Sequence, residues 1–152
     1  MKQIKILALS FIFAGILSCS NDDEVNCSDS TIETTSLENE YACINTPYQM
    51  DIELSEDYMI IGNQTEFLDL VTGSCLPDID FSTYDLVIGK KGLSNGIDSI
   101  NYVLIENCEN ESQILTVTFN KNATTEAPNL TYHALIPKLG NEQEFSIVIE
   151  EN

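Results

Sequence analysis

One imidazole and a large surplus of carboxylates are the chemistry this chain carries. Its 152 residues include 25 Asp and Glu against six Lys and no Arg, for a formal charge of −19, with one His and no Trp. Any Ser-His-acid or Cys-His mechanism would have to use His133. That residue stands between Tyr132 and Ala134 in a β-like run, where an imidazole is expected to pack or to face solvent. Acid pairs are the other option, since two carboxylates can hydrolyse a glycoside and several can hold calcium. Asp78-Ile79-Asp80 and Glu53-Leu54-Ser55-Glu56-Asp57 are the densest clusters. With so many acids such clusters arise from composition alone, and no EF-hand-type loop accompanies them. The nucleophile elbow, the zinc-protease helix motif and the Walker glycine loop are likewise missing from the sequence. Nucleic acid is disfavoured as a partner, because phosphate binding needs clustered cations. The expectation is a non-enzyme with no catalytic, cofactor-binding or metal-ligating residue and no cofactor.

The five cysteines divide into one and four. Lys2 and Lys5 precede an apolar run from Ile6 to Leu17, shorter than the roughly 20 residues a spanning helix needs and suited to a secretory segment. Ile16-Leu17-Ser18-Cys19 resembles the lipobox of bacterial lipoproteins, which implies cleavage after residue 18 and acylation of Cys19. Several acyl chains give stable anchoring where one would be marginal. The run Ser20-Asn21-Asp22-Asp23-Glu24 resembles the export tether of lipoproteins carried to the outer face of the outer membrane. So strongly acidic a chain repels anionic lipid, and the acyl chains must therefore hold it at the membrane. Cys27, Cys43, Cys75 and Cys108 remain, an even number in an exported chain, and two disulfides are expected. Local loop closure favours Cys27–Cys43 and Cys75–Cys108. The spacings of 16, 32 and 33 residues are not those of a zinc site.

The elements that would position these residues read as α+β: a mostly antiparallel sheet with one short packed helix, after a signal peptide (1–18) and an acidic tether with a disulfide-held segment (19–46). The folded domain is expected over 47–152. Met50 to Leu54 alternates apolar and acidic residues as a half-buried strand does, and Tyr58 to Ile61 is a second short strand. Asn63-Gln64-Thr65-Glu66 looks like a capped helix start, with Phe67, Leu68, Leu70 and Val71 as its apolar stripe and Gly73 as its stop. Further strands are expected at Leu86–Ile88, Tyr102–Ile105, Leu115–Phe119, Tyr132–Ile136 and Phe145–Ile149, with a glycine-punctuated loop at Gly89–Gly96.

Several of these features, in order, resemble the C-terminal domain family of the protease-complex subunit PrcB. They are Tyr58-Met59-Ile60-Ile61-Gly62-Asn63 with Glu66-Phe67, Ile79-Asp80-Phe81-Ser82 with Leu86-Val87-Ile88-Gly89, and Tyr132-His133 through Lys138. The resemblance covers about residues 56–138 and implies a small α+β binding domain, non-catalytic in its namesake. The function expected is a lipid-anchored, non-enzymatic interaction protein on the outer membrane, facing outward and binding a protein partner, as an accessory subunit of a surface complex does. The alternative is a surface module for carbohydrate or calcium, with Tyr41, Tyr48 and Tyr58 as stacking platforms.

Overall fold

The computed structural model describes residues 27–54 and 57–152, so the lipobox, Cys19 and the acidic run after it lie outside the described residues. Two sheets form the body. Strands β1 (Ser30–Ile32), β6 (Ile97–Glu106), β7 (Gln113–Lys121) and β9 (Phe145–Glu151) make a four-stranded sheet in that order, and β3 (Tyr58–Ile61), β5 (Tyr84–Gly92) and β8 (Asn129–Pro137) make a three-stranded one. A two-stranded ribbon, β2 (Met50–Ile52) with β4 (Val71–Gly73), and three short helices, α1 (Leu37–Tyr41), α2 (Thr46–Gln49) and α3 (Gln64–Leu70), complete the described elements.

The three-stranded sheet is the middle layer. Along β8, Leu130, Tyr132, Ala134 and Ile136 pack with Val87, Leu104, Leu115, Val117 and Phe119, against the larger sheet. Leu135, with Leu86, Ile88 and Ile61, packs on the opposite side with Leu37, Ile52, Phe67 and Val71 from the helices and ribbon. Burial on both faces explains why residues 130–136 are an unbroken buried run while β7, with one face out, alternates. The mostly antiparallel, β-dominated architecture agrees with the sequence reading. One pairing does not: β9 runs parallel to β7, because the chain crosses to the other sheet through β8 before returning.

The Asn63 cap is as read, its side chain accepting the Glu66 N–H at 2.9 Å. The helix, however, ends at Leu70, and Val71–Gly73 is extended. Gly73 has φ +141°, and a Cβ there would lie 2.2 Å from the Gln49 carbonyl oxygen; it permits close approach of β2 and β4 and does not stop the helix. Gly89 and Gly92, read as loop, lie within β5. Gly89 pairs with Tyr132, whose ring fills the position a Cβ would take, at 2.3 Å.

The cysteine pairing is corrected. The disulfides are Cys27–Cys108 and Cys43–Cys75, not the two sequence-local pairs. Strand pairing overrides local closure here: Ser30 lies opposite Glu106 in the β1–β6 ladder, and continuing that antiparallel register puts residue 27 opposite residue 109, the next neighbour of Cys108. The described part of the segment read as a tether, residues 27–46, also takes part in the fold. Leu37, Cys43 and Thr46 are buried, and Thr35 bridges to Leu135 at both backbone positions.

Candidate binding cleft

His133 sits on the helix-facing side of β8 and is 2 % exposed. Around it three groups from residues 37–46 converge. The Thr46 hydroxyl donates to Glu38 Oε1, so its oxygen is left to accept from His133 Nδ1–H at 3.4 Å. Nε2 of that neutral tautomer accepts the Leu37 N–H at 3.3 Å. Glu38 Oε2 stands 3.2 Å from the same Nε2, a contact that becomes attractive when the ring is protonated. Glu38 Oε1 also accepts the Thr46 N–H at 3.2 Å, which satisfies an orphan donor at the start of α2 where Asn45 makes no side-chain cap. Burial raises the Glu38 carboxyl, but with the ring protonated the hydrogen bonds from His133 and Thr46 and the attraction of the imidazolium outweigh it and hold the group down at about 2.

This arrangement is a clamp. In a nucleophilic triad the ring nitrogen takes the hydroxyl proton and the acid holds the far side of the ring. Here the carboxylate itself accepts the Thr46 hydroxyl's hydrogen bond, and the hydroxyl is completely buried. What the cluster does is fasten residues 37–46 onto β8. The free edge of β8 is closed further by Thr35 and by the Tyr102 hydroxyl, which accepts the His133 N–H at 3.1 Å. Burial pushes the Tyr102 phenol well above its usual range, keeping it neutral.

Beside the clamp lies a cleft of about 700 Å³, within the range of ligand sites. One wall is the 34–48 segment, including Tyr48, which is half exposed. The other wall is β6 from Ile97 to Val103, every residue of it. Alternate side chains of a strand point to opposite faces, so consecutive residues can all line one cleft only through the strand's edge. Ladder phase identifies the groups on that edge. Asn107 N–H bonds the Ser112 carbonyl, so odd-numbered residues of β6 exchange bonds with β7, and even-numbered ones face away. Glu106 and Leu104 spend theirs on β1. The next two, Tyr102 and Ile100, have backbone N–H and C=O groups with no backbone partner among the described residues.

The other residues singled out in the sequence lie apart. The Tyr41 hydroxyl accepts the Asp80 N–H at 2.9 Å, and Tyr58 packs edge-on against Phe145. Of the three tyrosines only Tyr48 lines the cleft. Asp80 caps a turn through Ser82 and Thr83, which hold its carboxyl below the usual range. Among the described residues no group of three or more His, Cys, Asp or Glu side chains is placed to hold a metal ion, and no helix is long and apolar enough to cross a membrane. The clamp was missed in the sequence because His133 lies 95 residues from Glu38; Ser36 ahead of Glu38 and Glu40, a helix-cap pattern, and Pro47, early in the next helix, were the local signals of order. No family model, curated protein or solved structure matches this chain.

Proposed function

We infer that this chain is a lipid-anchored, non-enzymatic binding protein of the bacterial cell envelope, held at the outer membrane through Cys19, facing outward, with the Tyr48 cleft as its recognition surface. The observation that carries the reading is the division of labour around the cleft. The imidazole, the carboxylate and the buried hydroxyl are committed to holding the fold, whereas the β6 edge and Tyr48 are left to the surface. The outer face of the larger sheet adds exposed Val103, Ile105, Ile114 and Val148, which neighbour one another across the ladder, and such patches mark interaction surfaces. The PrcB-like order of motifs supports an accessory-subunit role. An exposed tyrosine in a polar cleft favours a second reading, a carbohydrate-binding module, in which a sugar ring stacks on Tyr48.

Two measurements test the first reading. Metabolic labelling with an alkyne fatty acid should tag the wild-type chain and fail on Cys19→Ala. A photo-cross-linking residue at position 48, used in intact cells, should capture one envelope component in near-stoichiometric amount. Capture of nothing from position 48 would remove the cleft from the account.

A further inference from the structure

We propose that the cleft takes an extended, lysine- or arginine-bearing peptide segment of a partner protein, added as a strand along the open edge of β6 at Ile100 and Tyr102. This rests on the cleft being the recognition surface and names what it recognises. Strand addition needs an edge whose donors and acceptors are unspent, and the described portion of β1 covers β6 only from Leu104 to Glu106. At Ile32 the chain leaves that line to bridge Leu135 instead. An incoming strand would continue the line that β1 abandons, antiparallel to β6, with its backbone meeting the N–H and C=O of Tyr102 and then Ile100. The β-bulge between Ile97 and Ser99 ends the regular edge on the far side, so the docking site is about three to five residues long.

Charge selects the segment. Glu38 and Asp98 line the cleft, and among the described residues its lining holds no lysine. The four described lysines are engaged elsewhere: Lys90 with Asp51, Lys91 and Lys121 with Glu151, and Lys138 with Asp85. Glu38 remains ionised throughout the physiological range. An acidic peptide, or a second copy of a chain carrying −19, would therefore meet repulsion, while cationic side chains flanking the added strand would be attracted.

The test uses the full chain purified from membranes in detergent, with two synthetic hexapeptides as probes, one alternating Lys and Val and one alternating Glu and Val. Amide hydrogen exchange is read residue by residue. The Lys-Val peptide should slow exchange at Ile100 and Tyr102 by about tenfold or more, leave Asn101 and Val103 unchanged because β7 already protects them, and bind about tenfold more tightly than the Glu-Val peptide. A Lys-Val peptide N-methylated at alternate residues should lose the effect. Equal affinity for both peptides, or binding without protection at Ile100 and Tyr102, would overturn the proposal. So would protection that appears with protein concentration alone, which would identify a second copy. If neither peptide binds while cross-linking from position 48 still captures a protein or a glycan, strand addition falls and the cleft stands. If both fail, the two readings fall together.

Discussion

Two strand edges border the same cleft and have been treated in opposite ways. The edge of β8 is closed: Thr35 pairs with Leu135, the Tyr102 hydroxyl takes the His133 N–H, and the His133–Glu38–Thr46 clamp presses residues 37–46 over it. Among the described residues, the edge of β6 is covered by three residues of β1 and then left open through Tyr102 and Ile100. Open edges invite non-specific pairing, and proteins usually blunt them. Here a bulge and Asp98 blunt one end of the β6 edge, leaving a short central stretch. The contrast shows where titratable chemistry went in this molecule. Its one imidazole secures a closed edge, and the open edge relies on backbone groups.

Four perturbations would break or sharpen that contrast. The largest effect is expected from Cys43→Ser with Cys75→Ser, which frees the segment closing β8. The bridge spans 32 residues, and the chain-entropy model assigns it about 3.7 kcal/mol, measurable as a lower denaturant midpoint. Non-reducing peptide mapping should recover the Cys27–Cys108 and Cys43–Cys75 peptides.

His133→Ala comes next, because it leaves the Leu37 N–H and the Glu38 carboxylate short of partners inside the fold. A loss of about 2–4 kcal/mol in chemical denaturation is expected, with increased proteolysis within residues 33–46. A loss below half a kcal/mol would mean that the clamp does not hold the segment.

Glu38→Gln sharpens the same point through pH. The folded carboxyl titrates near 2, against an ordinary value of 4.5, so its stabilising contribution is fully present above about pH 4.5 and disappears as pH falls toward 2. The variant should be less stable than wild type by about 1–2 kcal/mol at pH 6, after discounting for the partial exposure of Glu38. That gap should shrink as pH falls below about 4.5 and close only below about pH 2. A gap independent of pH would contradict the assignment. The smallest effect belongs to Tyr102→Phe, which removes one acceptor from the β8 edge and should cost about 1 kcal/mol, accompanied by faster exchange at His133.

How much of this was legible in the sequence follows the range of the interactions. The Asn63 cap, the alternation of β7 and the strand at Tyr132–Ile136 rest on neighbours a few residues apart, and the structure has them where the sequence pattern puts them. The cysteine pairing, the parallel docking of β9 and the role of residues 30–46 depend on contacts across 32 to 96 residues, which local periodicity does not carry. Segment 30–46 was also masked by its composition: Leu37 and Cys43 supply its buried apolar contacts amid Ser, Thr, Asn and acids. The open edge of β6 is a property of pairing, since Ile100 and Tyr102 read in sequence like any other strand residues.

The most direct test of the contrast is residue-resolved amide hydrogen exchange on the full chain with no ligand added. His133 and Leu135 should be protected close to the level of global unfolding, and Ile100 and Tyr102 should exchange at least about a hundredfold faster than their β7-bonded neighbours Asn101 and Val103. Equal protection of Ile100, Tyr102 and those neighbours would mean that the β6 edge is already covered, and the account of the cleft would be wrong.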